Sequence, residues 1–124
     1  MIRLILLTWL ALTLGCKKDS VVQAGPERTE AAYIFPSNLA ADGCEEVISL
    51  QTDSAFAKPT EYKPSPSTLP LVQKALKETP FNPDQAGRPV TIRFVETGNQ
   101  VFLQCGWGSR REMSEIEVLE IKPR

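Results

Sequence analysis

The sequence predicts a mainly β domain of five to six short strands with one short helix, carried behind a leader and a tether. Three observations lead there. Apolar residues alternate with polar ones in several short runs, which is the period of a half-buried strand. A helical period is clear in one stretch, Thr68–Lys77. The ten prolines are concentrated in the middle of the chain and favour long loops over long helices. At 124 residues there is room for at most one domain.

Residues 1–15, MIRLILLTWLALTLG, read as a signal peptide. Arg3 supplies a short basic start, Ile2 and Leu4–Leu14 an apolar run, and Gly15 the small residue that a peptidase needs beside its cut. The apolar run is too short to span a bilayer as a stop-transfer helix, and KKDS follows at once. Leu12-Thr13-Leu14-Gly15-Cys16 resembles the lipobox of bacterial lipoproteins, with Thr13 standing where leucine is usual. That resemblance implies cleavage before Cys16 and lipid on its thiol and its amine. Two or more acyl chains hold a protein on a membrane durably, whereas one is marginal. The expected partner is therefore a membrane, through lipid on Cys16. The expected place is the bacterial cell envelope, on the outer membrane. Residues 16–30 continue as a polar, flexible tether with a Gly-Pro break, and the domain is expected over 31–124.

Within the domain, Ala31–Phe35 is a strand ended by Pro36, and residues 36–43 form a turn-rich loop. Cys44–Gln51 is the next strand, with Cys44, Ile48 and Leu50 on one face. Glu61–Lys63 lies among prolines and suits an edge strand. Thr68–Lys77 is the helix: Thr68 is its N-cap, Pro70 lies in the first turn, and Leu69, Val72, Ala75 and Leu76 form the apolar stripe. Val90–Thr97 and Gln100–Cys105 read as a hairpin around a Gly98-Asn99 turn, with Phe94 opposite Leu103 and Ile92 opposite Cys105. Its core face carries Val90, Ile92, Phe94, Val101, Leu103 and Cys105, and Val95 with Phe102 makes an apolar pair on the other face. Glu115–Lys122 closes the chain as a strand, and the change of parity at Val118-Leu119 marks a bulge or a strand end buried on both faces.

Several short pieces recur in a familiar order: DGC at 42–44, YKPSPSTLP at 62–70, CGWG at 105–108 and the closing EIEVLEIK. In this respect residues 31–122 resemble a group of small lipoproteins of the Bacteroidota. Glu45-Glu46 stand where that group has Gly-Trp, and the segment between Leu50 and Tyr62 is longer and richer in proline. The resemblance implies a small OB-like barrel for the exported part and implies no activity.

The chemistry the sequence offers is sparse. Histidine is absent, which removes the commonest general base and metal ligand together. Ser37, Ser65, Ser67 and Ser109 therefore lack a histidine partner, and none sits in a GxSxG turn. Glu112, Glu115, Glu117 and Glu120 read as an exposed acidic strand face; no EF-hand spacing exists, and no metal or cofactor is expected. Without Arg3, the 14 basic residues fall to 13 against 15 acidic, a net of -2, so nucleic acid is not an expected partner. Cys44 and Cys105 are an even pair in an exported chain and are expected to form a disulfide. In CGWGSRRE, Trp107 with Arg110 and Arg111 is a candidate binding loop for an anionic or carbohydrate partner; the other reading has Trp107 capping a barrel end and the arginines solvated. The expected function is a membrane-anchored, non-enzymatic binding or accessory module whose partner is an envelope protein or glycan. The alternative is a structural or inhibitory envelope protein acting through protein–protein contacts.

Overall fold

The computed structural model describes residues 25–41 and 43–124. The segment read as a signal peptide, Cys16 and the part of the expected tether up to residue 24 lie outside the described residues, as does Asp42. Among the described residues, five strands and one α-helix follow one another as β1 (Arg28–Phe35), β2 (Val47–Leu50), β3 (Glu61–Pro64), α1 (Leu69–Glu78), β4 (Arg88–Gln104) and β5 (Arg110–Pro123). The strands close into a barrel in the order β1-β2-β3-β5-β4, with β4 returning to pair with β1. Every neighbouring pair is antiparallel except β3 and β5. This is the small OB-like barrel with a single short helix, α1 standing between β3 and β4.

The main core follows from the two-residue period. Ala32 and Ile34 of β1, Ile48 of β2, Tyr62 of β3, Val90, Ile92 and Phe94 of β4, and Ile116 and Val118 of β5 point into it. From α1, Val72, Ala75 and Leu76 pack against them, which is the apolar stripe expected of a short helix that needs tertiary contact to persist. Leu50 is only partly buried. Arg28 lays its guanidinium 4.9 Å over the Phe94 ring and donates a hydrogen bond to the Tyr62 hydroxyl at 3.0 Å.

Several expectations are corrected. The first strand begins before Ala31: β1 starts at Arg28, and the Gly25 N–H already bonds the Glu96 carbonyl at 2.8 Å. β3 is not an edge, since it pairs with β2 on one side and β5 on the other; Pro64 is tolerated because it ends the strand. Thr68 does not cap α1 through its side chain. Its hydroxyl instead meets the Ser65 hydroxyl at 2.8 Å and accepts from the Val118 N–H at 3.3 Å, which ties the helix start to β5.

The largest correction concerns Gly98-Asn99. There is no turn there: β4 runs unbroken from Arg88 to Gln104, and the real hairpin joins β4 to β5 through residues 105–109. Glu96 pairs with Ile116 and Gln100 with Ser114, so Thr97, Gly98 and Asn99 lie opposite Glu115 alone. The segment is a bulge. Gly98 sits at φ 82, in the left-handed region that glycine enters freely. Thr97 Oγ1 and Asn99 Nδ2 donate to Glu115 Oε1 at 3.0 and 3.1 Å, and Glu115 is buried by that role rather than exposed on an acidic face. A turn and a bulge share the positive-φ residue and the polar side chain that bonds its own backbone, so the local signal fits both. In place of the expected Val95–Phe102 pair, Val95 faces Glu117 and Phe102 faces Glu112. The bulge expected near Val118-Leu119 is present: Arg93 pairs with Glu120 and Phe94 with Val118, leaving Leu119 extra.

Beyond the bulge, the hairpin buries its other face. Leu103 and Met113 join Val47 in a second cluster, with Phe35, Cys44 and Cys105 packed on it. Val47 adjoins Ile48 of the main core, and neighbouring strand residues point to opposite faces, so this cluster lies on the outer side of β2.

Candidate functional site

The second cluster carries two loops. One, residues 36–46, joins β1 to β2; the other, residues 105–109, joins β4 to β5. The Cys44–Cys105 disulfide links them, across an isolated antiparallel bridge with a Cα separation of 3.9 Å. Backbone bonds reinforce the link: Glu45 N–H to the Gln104 carbonyl at 3.0 Å and Gly106 N–H to the Gly43 carbonyl at 2.8 Å. Gly43 is needed at this crossing, because a Cβ there would sit 2.6 Å from the Asn38 Cβ. Asn38 closes the same loop by donating its N–H to the Cys44 carbonyl and accepting from the Gly43 N–H at 2.7 Å.

Glu45 is a second clasp. Its Oε2 accepts from Lys63 Nζ at 2.8 Å and from the Gln104 N–H at 2.9 Å, while Lys63 also donates to the Phe102 carbonyl at 3.0 Å. Burial alone would push the Glu45 carboxyl up, but the Lys63 ammonium and the Gln104 N–H outweigh it and hold the group below the usual carboxylate range. Charged side chains thus occupy backbone groups of β4 that β1 no longer covers, which protects the strand edge from stray pairing.

On this clamped base the Gly106–Gly108 turn displays Trp107. The residue is 91% exposed and sits at φ 61, a left-handed conformation uncommon for a bulky side chain. Trp107 therefore caps no barrel end. The two arginines separate. Arg110 lies 5.3 Å over the ring of Phe102, itself 57% exposed, so the pair forms a cation–aromatic contact on the surface. Arg111 bonds Glu61 of β3 at 2.7 Å and lines a groove beside the disulfide. Of the three residues singled out in the sequence, Trp107 stands free and both arginines have partners in the fold.

Sequence reasoning did not find that groove. It is an open cavity of about 530 Å³ between the 36–46 loop and β3, with Phe35, Val47 and Cys44 in its apolar part and Asn38, Glu61 and Arg111 among its polar groups. Its lining comes from four separate segments, which no spacing in the chain could reveal. A second cavity of about 720 Å³ adjoins it, sharing Pro36, Ser37 and Phe81, and reaches the end of α1. Among the described residues, no helix is long and apolar enough to cross a membrane, and no cluster of metal-binding side chains occurs. The chain matches no family model, no curated protein and no solved structure.

Proposed function

We propose that the protein is a lipid-anchored, non-enzymatic binding module of the bacterial cell envelope, tethered by Cys16 and making contact through its disulfide-clamped loop end. The observation that carries this reading is Trp107. A large aromatic ring held out in solvent, on a backbone conformation that costs free energy, contributes nothing to the core. Small OB-like barrels commonly use the loops after β1 and β4 to bind extended ligands. Here those two loops are the ones joined by the disulfide. The anchor rests on Arg3, the apolar run and Gly15-Cys16, and the placement on the outer membrane rests on the lipoprotein resemblance.

The alternative, a structural or inhibitory protein working through protein contacts, draws support from the same surface. Trp107, Phe102 and Arg110 are residue types that dominate protein interfaces. A photoreactive amino acid at position 107, compared with one at the fully exposed Phe56 on the far β2–β3 loop, tests the shared claim in living cells. Adducts confined to position 107 are expected, and their mass and protease sensitivity separate protein from glycan. Equal labelling at both positions, or none at 107, would refute the loop end as the contact. Mass spectrometry of the N-terminal peptide tests the anchor: acylated Cys16 is expected, and a free thiol there would remove the membrane from the account.

A further inference from the structure

The two loops at the display end are held by the seam between them. Among the described residues, neither 36–46 nor 105–109 contributes a buried side chain, and none of the main-core residues lies in either loop. Each loop is closed on itself: Asn38 bonds Gly43 and Cys44 within the first, and the Cys105 N–H reaches the Ser109 carbonyl at 2.9 Å within the second. Across the seam run the Cys44–Cys105 bond, the Glu45 N–H to the Gln104 carbonyl, the Gly106 N–H to the Gly43 carbonyl, and the Gln104 N–H to Glu45 Oε2. Segments with few buried contacts open locally before the rest of a fold, so the seam sets the stability of this end. These hydrogen bonds gain little over bonds to water, whereas ordering two loops costs conformational freedom at every residue. The covalent bond therefore decides whether the seam stays closed.

The barrel closes without that bond. β1 pairs with β4 over Arg28–Ile34 and β3 with β5 over Tyr62–Pro64, all outside the two loops, and the Cys44–Cys105 bridge stands isolated from the named strands. The bond is also open to approach. Both cysteines are only partly buried, and Cys44 lines the open groove between the 36–46 loop and β3. Thiol–disulfide exchange needs access to one of the two sulfurs, and exposed disulfides belong to the reducible class.

We propose that Cys44–Cys105 is a reversible redox latch, which fixes or frees the display loops while the barrel stays folded. The reductant is a dithiol. Its thiolate attacks Cys44 Sγ, the disulfide breaks, and Cys105 leaves as a thiolate that takes up a proton. The second thiol of the reductant then attacks the mixed disulfide and releases Cys44; the dithiol becomes a disulfide, and the two electrons it loses reduce the latch. The latch stands on the seam, and its bearing on binding rests on the reading of the loop end as the contact surface. Freed loops must be ordered again on binding, so the oxidised form is the binding form. Hydrogen exchange of the full chain in detergent, read on peptic peptides with and without dithiothreitol, tests the latch. In the reduced protein, peptides from 36–46 and 104–110 should exchange about tenfold faster or more, while β1, α1 and residues 88–96 keep their protection. Replacing dithiothreitol with oxidised glutathione should restore the slow rates. Loss of protection everywhere at once would make the bond a structural staple and overturn the proposal. So would unchanged rates in the reduced loops, or a bond that dithiothreitol opens only in denaturant. The photoreactive residue at position 107 tests the consequence: Cys44→Ser with Cys105→Ser should lower its adducts about tenfold. Equal yields overturn the regulatory role. If position 107 gives no adducts in either form, the contact reading fails and the exchange rates still decide the latch.

Discussion

The main core and the second cluster are built from the same strands yet are held in different ways. Among the described residues, the main core gathers twelve buried side chains from all five strands and the helix. The second cluster has three, Val47, Leu103 and Met113, under a disulfide and an ion pair. Apolar burial scales with area, so the first region can stand on packing, whereas the second depends on its covalent link. Exposed Trp107 and its strained backbone belong to the second region. The part of the molecule that displays an aromatic ring is thus the part fastened by chemistry rather than by packing.

Reduction of Cys44–Cys105 should have the largest effect. Opening a link across a sequence separation of 61 lowers stability by roughly 4 kcal/mol in the chain-entropy description. Urea denaturation with and without reductant measures it, and a loss below about 1 kcal/mol would mean that packing alone holds the loop end. Phe94→Ala, in the centre of the main core, should cost about 3 kcal/mol. Leu103→Ala should cost about 2 kcal/mol, at the low end for a leucine, since fewer neighbours surround it. Equal losses for the two would erase the distinction between the regions.

Acid should also weaken the clasp at Glu45. Glu45 has its pKa lowered by folding, so its ionised form contributes stability that is fully present above the unfolded value of about 4.3 and fades as pH falls through the lower folded one. Glu45→Gln should cost about 1 kcal/mol at neutral pH, a modest figure because the pair is partly solvated. The same variant should flatten the loss of stability below pH ~4.3. Melting temperatures across that range decide it, and an identical acid limb in both proteins would show that another group carries the effect.

How much of this was legible in the chain differs between the same two regions. The main core was readable, because Ile48, Ile92, Phe94 and Ile116 obey the strand period and Val72 with Leu76 the helix period. The disulfide followed from counting cysteines, on the expectation that the chain is exported. The hairpin did not follow. Gly98-Asn99 carries the signature of a tight turn, and only the pairing of Gln100–Gln104 with Arg110–Ser114 shows it to be a bulge. That pairing is stabilised by Glu115 reaching back to Thr97 and Asn99, a contact between segments that local propensity does not report. The groove was hidden for the same reason, since Phe35, Asn38, Glu61 and Arg111 meet only once the barrel has closed.

The smallest expected change bears most directly on why the second region exists. If Trp107 is kept for contact, replacing it with glycine removes no packing and relieves the left-handed backbone at φ 61. Part of that relief is offset by the greater freedom of glycine in the unfolded chain. The denaturation midpoint of Trp107→Gly should therefore lie at or slightly above that of the wild type, by roughly 0.5 kcal/mol. A fall of about 1 kcal/mol or more would show that the ring supports the fold, and would contradict the account of the loop end as a surface held out for a partner.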